Sequence, residues 1–144
     1  MDLYIATSPS YLFTALCLKC NENVGSEGDL ILVDVFPNAV IYASRLETLG
    51  FFHRIIVVPG PSFKKWGAIF KEAHSKIGYM FLLFRELVLR VCPGIGCLQY
   101  RGYPFSRQRY ARTFMPGIMR AFLWLHLYQR KKYRCKTYLF DSGI

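Results

Sequence analysis

Short apolar runs and polar breaks alternate through the first sixty residues. Residues 3–6 (Leu-Tyr-Ile-Ala) are apolar and too few for a helix, and they predict a strand. Ser8 and Pro9 then read as an N-cap and a first helical residue. Tyr11, Leu12, Ala15, Leu16 and Lys19 follow at helical spacing. Residues 21–28 are polar, carry two glycines and predict a turn. Residues 29–35 are nearly continuous β-former, the pattern of a strand covered on both faces. Pro37 and Asn38 open a second helix over about 39–49, closed by Gly50. Residues 52–58 predict a third strand, stopped by Pro59-Gly60-Pro61.

Strand, helix, strand, helix, strand implies right-handed crossovers and a parallel sheet. The loops after the strands would share its carboxyl edge, where open α/β sheets bind ligands. Those loops make Ser8, Ser10, Pro37, Asn38 and Gly60 candidate binding residues.

The second half reads differently. Residues 63–77 and 79–91 predict one long helix or two, with Gly78 as the weak point. The Cys92-Pro93-Gly94-Ile95-Gly96 segment ends that stretch. Residues 99–114 are basic and aromatic without a clear period. Residues 115–128 predict an apolar helix, 129–136 a basic turn, and 137–140 a buried strand running into Asp141-Ser142-Gly143-Ile144. The expectation is a single α/β domain over 1–144, regular βαβαβ in 1–61, helical in 62–136, with a last strand and turn in 137–144. A strand followed by a turn just begun reads as the N-terminal part of a longer protein; Ile144 as a true end is the alternative.

Composition narrows the class. With 53% hydrophobic and 19% charged residues, the chain can build a core and is not a disordered tail. Five cysteines are too sparse, and odd in number, for a disulfide scaffold. The longest uncharged run, residues 3–18, falls short of a membrane span and carries several Ser and Thr. No basic leader precedes it, so the chain reads as cytoplasmic. The charge is lopsided. Residues 1–86 are balanced, whereas 87–144 hold eleven Lys and Arg against one acid, Asp141. The whole net charge of +10 lies there, which points to an anionic partner.

The chemistry-bearing motifs are few. Cys17-Leu18-Lys19-Cys20 lies late in a helix, without a second close pair to complete a zinc site, and predicts no metal. Gly94-Ile95-Gly96 lacks the third glycine and the preceding strand of a dinucleotide loop. Arg101, Arg107, Arg109 and Arg112 interleave with Tyr100, Tyr103, Phe105, Tyr110 and Phe114, and Arg130, Lys131 and Lys132 form a second basic cluster. Three readings stand: a solvated basic face, a peripheral contact with an anionic membrane, or single-stranded nucleic acid held by phosphate contact and base stacking. Nucleic acid is the least expected of them. Asp141 ends a strand before a glycine turn, so its carboxylate can serve as a general base at the sheet's carboxyl edge, or simply cap the turn.

The opening residues 1–12 (Met-Asp-Leu-Tyr-Ile-Ala-Thr-Ser-Pro-Ser-Tyr-Leu) resemble the start of the bacterial lipooligosaccharide sialyltransferases of glycosyltransferase family 52. So does Tyr138-Leu139-Phe140-Asp141-Ser142-Gly143, which is similar to that family's Tyr-x-x-Asp-acid-Gly pattern, with Ser142 in place of the second acid. The resemblance implies the Rossmann-like, acceptor-side N-terminal half of a GT-B-type enzyme. It would be inverting and metal-independent and need no cofactor. It implies CMP-sialic acid as donor, a galactose-terminated glycan of lipooligosaccharide or capsule as acceptor, and Asp141 as general base. Ser142 and Gly143 would join the acceptor-binding residues. The family's donor-phosphate motifs belong to a C-terminal domain that has no counterpart here, so this chain alone is expected to be inactive. The rival reading is a non-catalytic basic α/β module that binds nucleic acid or an anionic membrane.

Overall fold

The computed structural model describes residues 1–22, 27–67, 76–117 and 119–140. Five strands form one sheet: β1 (Asp2–Ala6), β2 (Gly28–Asp34), β3 (Arg54–Pro59), β4 (Arg112–Met115) and β5 (Lys136–Leu139). Their order is β3-β2-β1-β4-β5, and every pair is parallel. Among the described residues six α-helices flank the sheet: α1 (Pro9–Glu22), α2 (Ala39–Leu49), α3 (Gly60–Gly67), α4 (Lys76–Val91), α5 (Pro93–Gly96) and α6 (Leu123–Tyr133).

Alternation along the strands sorts the core into two. Leu3, Ile5, Ile31 and Val33 point to the face that also buries Trp66, Tyr100, Phe122 and Trp124, contributed by α3, α6 and the turns between them. Tyr4, Ala6, Leu30 and Leu32 point to the other face, where α1 and α2 bring Leu12, Ala15, Ala39 and Ala43. A strand packed on both sides needs apolar residues at every position, which is why residues 30–33 carry no polar break. The result is a Rossmann-like α/β arrangement, as the first sixty residues predict.

The second half departs from its sequence reading in four places. The stretch read as helical contains β4, which pairs with β1 beside the sheet's centre. The apolar helix predicted over 115–128 is a strand end, a loop and a 3-10 turn at Arg120–Phe122, and α6 begins only at Leu123. The basic turn predicted over 129–136 is instead the last turn of α6, which runs to Tyr133 and closes on Arg134 in the left-handed region (φ 56°). Cations in that turn favour a helix end, where carbonyls leave a partial negative charge. Residues 136–139 do form a strand, but β5 is the sheet's edge and mostly exposed, not buried.

Candidate functional site

Because the strands are parallel, their exits share one edge. The chain leaves β1 through α1 toward β2 on one side, while β4 lies on the other. Open α/β sheets part at such a switch of direction and leave a crevice there. An open cleft of about 340 Å³ occupies that side of the edge, lined by Tyr11, Pro116, Gly117, Leu139 and Phe140.

Local interactions build its walls. Ser8 caps α1: the Tyr11 N–H donates to Ser8 Oγ (3.3 Å), and the hydroxyls of Ser8 and Ser10 lie 3.0 Å apart. The Tyr11 ring meets Phe140 edge-on, with centroids 5.9 Å apart. The Met115 carbonyl accepts the N–H of Gly117 (3.0 Å) and of Phe140 (3.1 Å), tying the exits of β4 and β5 together. Gly117 makes its turn at φ 72°, a conformation that side chains rarely adopt. The cleft is thus aromatic and aliphatic, with a serine pair at the start of α1.

The predicted acceptor residues do not all gather there. Ser8 and Ser10 precede Tyr11 in the turn that opens α1, and Tyr11 is the residue of that turn and helix that lines the cleft. Pro37 and Asn38 are exposed beyond β2, and Asn38 opens α2 from the left-handed region (φ 65°) without a side-chain cap. Gly60 is buried. A Cβ there would stand 2.6 Å from the Asp34 carbonyl oxygen, so glycine is required for the close approach of α3 to the end of β2. Asp141, Ser142 and Gly143 lie outside the described residues.

The basic residues occupy other ground. Arg107 and Arg109 precede β4, and Arg130, Lys131 and Lys132 end the helix that runs back to start β5. These five therefore lie toward the amino edge, opposite the cleft. Arg101 is exposed on the turn after residues 97–100. Arg112 is not a free cation: it pairs with the Asp2 carboxylate across the β1–β4 ladder at 2.5 Å. The Arg109 guanidinium lies over the Tyr133 ring, 5.7 Å from its centroid. Lys132 Nζ donates to the Tyr128 hydroxyl (2.7 Å), and Lys131 Nζ to the Val91 carbonyl (2.5 Å).

The amino edge also holds a polar network that sequence reasoning did not anticipate. Asp29 is fully buried. The Arg54 guanidinium grips both its oxygens (2.6 and 3.2 Å), and the Tyr110 hydroxyl donates to one of them (2.8 Å). Burial, then the Asp29 carboxylate, drives the Tyr110 phenol well above its ordinary pKa. The hydrogen bond to Asp29 raises Arg54. Gln129 completes the network, accepting from the Tyr110 N–H (3.1 Å) and donating to the Gln108 carbonyl (2.7 Å). Every partner is satisfied, so this is a clamp joining β2, β3, α6 and the β4 approach. Its sequence signal is an acid and an arginine at the starts of two apolar strands that pair in register.

A second hollow, about 530 Å³, runs beside β5 and is lined in part by His126, Arg130, Cys135 and Thr137. His126 Nδ1 is 2.9 Å from Thr137 Oγ1. Burial, reinforced by Arg130, lowers the pKa of its imidazole. Burial also raises the Cys135 thiol. Among the described residues no group of three His, Cys, Asp or Glu side chains could hold a metal ion. Cys17 and Cys20 are exposed free thiols on α1.

Fold and cleft together define a Rossmann-like α/β protein with an open crevice at the carboxyl edge of its sheet. No family model, curated protein or solved structure matches the chain. No helix among the described residues is long and apolar enough to cross a membrane.

Proposed function

We propose that this chain is the acceptor-side domain of an inverting, metal-independent GT-B-type glycosyltransferase, moving sialic acid from CMP-sialic acid to a galactose-terminated glycan. The observation that carries the reading is the carboxyl-edge cleft. It lies beside the serine turn that opens α1, and Phe140 in its wall directly precedes Asp141 in the chain. Aromatic rings suit a sugar, whose C–H faces are apolar while its rim of hydroxyls needs hydrogen bonds. Tyr11 and Phe140 supply the rings, and Ser8 and Ser10 the hydroxyls.

In this reading Asp141 is the general base. With an ordinary carboxylate pKa of about 3.9, it is ionised at neutral pH. It accepts the proton of the acceptor hydroxyl as that oxygen bonds to the anomeric carbon from the face opposite the phosphate. The bond to the CMP oxygen breaks in the same displacement, so configuration inverts. A base this weak contributes through position, with proton transfer late in the displacement. The alternative reading of the interleaved arginines as a nucleic-acid surface is weakened because Arg112 pairs with Asp2.

Saturation-transfer NMR with a galactose-terminated oligosaccharide tests the proposal. The chain should bind the sugar, Tyr11→Ala should remove most of the signal, and CMP alone should give none. Equal signal from wild type and Tyr11→Ala, or no signal from wild type, would contradict it.

A further inference from the structure

Helix α4 presents its apolar side outward. Leu89 is its one buried side chain, with Gly78, Leu82 and Glu86 half-buried beside it. At about 100° per residue, those four fall on one side of the helix, facing the domain. Ile77, Met80, Phe81, Phe84, Val88 and Val91 fall on the other, in a stripe roughly 120° wide, with Leu87 at its margin. All are exposed; Phe81 and Phe84 keep 72% and 65% of their surface. With about 1.5 Å of rise per residue the stripe is roughly 24 Å long. Beside it, a groove of about 420 Å³ continues the apolar surface through Ile95 to Trp124. A patch of this size and continuity marks a binding surface, not scattered surface apolars.

Charge identifies the occupant. Lys76 and Arg90 border the stripe on one side and Arg85 on the other. Glu86 is the helix's one acid, and it faces the domain and binds Arg90 at 3.3 Å. The contact of Lys131 with the Val91 carbonyl brings the cationic end of α6 against the last turn of α4. A second copy laid on this face would set Lys76 and Arg85 against their own kind, with no acid along the stripe to answer them. An anionic lipid surface answers both, while its acyl boundary covers the stripe.

We infer that α4 is an in-plane docking helix for an anionic membrane. Its apolar stripe lies at the boundary between headgroups and acyl chains. Lys76 and Arg85 spread their aliphatic stems over that boundary and their charges to lipid phosphates, while Arg90 stays paired with Glu86. This inference stands apart from the transfer reaction and holds whatever the carboxyl-edge cleft binds.

Vesicle flotation of the full chain tests it, with phosphatidylglycerol in phosphatidylcholine compared against phosphatidylcholine alone. The wild type should float with the anionic vesicles and bind the neutral ones far more weakly. The double variant Phe81→Ser/Phe84→Ser should bind at least about tenfold more weakly. The cation variant Lys76→Gln/Arg85→Gln should lose about fivefold per cation. Both should keep the wild-type circular dichroism, because the replaced side chains face outward. Hydrogen exchange on the unsubstituted chain gives a parallel readout: α4 amides should gain protection when anionic vesicles are added. Absence of flotation at low salt would overturn the inference. So would undiminished binding by the phenylalanine variant, which would assign binding to cations elsewhere. A wild-type dimer that this variant dissociates, without vesicle binding, would make α4 an interface between copies instead.

Discussion

Two residues show how little freedom the interior leaves. Asp29 has no exposed surface, yet it is fully answered by the Arg54 fork and the Tyr110 hydroxyl. Removing the guanidinium strands a carboxylate in the interior. Arg54→Ala is therefore expected to lower stability by about 2–3 kcal/mol, read from the urea midpoint. Tyr110→Phe removes one of the three donors and should cost about 1–2 kcal/mol. A midpoint unchanged in Arg54→Ala would show that the clamp contributes nothing. Gly60 makes a complementary case. Any Cβ there meets the Asp34 carbonyl at 2.6 Å, a backbone atom that cannot swing aside. Gly60→Ala should cost about 1–3 kcal/mol in the same measurement. That position was legible from sequence as a loop glycine at the right edge. Its reason, the approach of α3 to β2, depends on a distant strand and was not.

Among the elements, α6 and β5 are joined by a group that titrates. His126 has its pKa held below the ordinary value by burial, then by Arg130. The unfolded chain therefore binds this proton more readily than the folded one. As pH falls through about 6.5, stability is lost, and the loss levels off once the folded imidazole also protonates. The thermal midpoint of the wild type should drop between neutral pH and pH 5 by more than that of His126→Gln. Parallel curves for the two proteins would remove His126 from the account. Gly96 tests the packing of α5 on α6: a Cβ there would stand 2.5 Å from the Trp124 ring. Gly96→Ala is expected to destabilise by about 1–3 kcal/mol, measured by thermal melting.

The elements also mark where the sequence was readable. The strands and helices of residues 1–61 carry strong periods and clean Pro and Gly breaks, and they appear nearly where predicted. β4 was missed because four residues, Arg-Thr-Phe-Met, are too few to show alternation, and basic, aromatic neighbours blur their start. The available signal was Pro116-Gly117, the same punctuation that ends β3 at Pro59-Gly60. The end of α6 was missed because three cations in a row look like a loop. The contact of Lys131 with the Val91 carbonyl is a tertiary matter that spacing does not reveal, whereas that of Lys132 with Tyr128 is an i,i+4 pair within α6.

At the scale of the molecule, the parallel sheet with helices on both faces follows from the alternation of strand and helix. The strand order does not, because it depends on where the long crossover from β3 returns. That return places β4 beside β1 and so creates the crevice on which the functional reading rests. The same topology separates the chemistry from much of the charge: the cleft lies at the carboxyl edge, while Arg107, Arg109 and Arg130 to Lys132 lie toward the amino edge. A residue-resolved NMR titration of the full chain with a galactose-terminated oligosaccharide reads out the proposed acceptor cleft. Amide shifts should concentrate at Thr7, Ser8, Ser10, Tyr11, Gly117 and residues 139–143. Shifts confined to the amino edge, or none at saturating sugar, would contradict an acceptor site at this cleft.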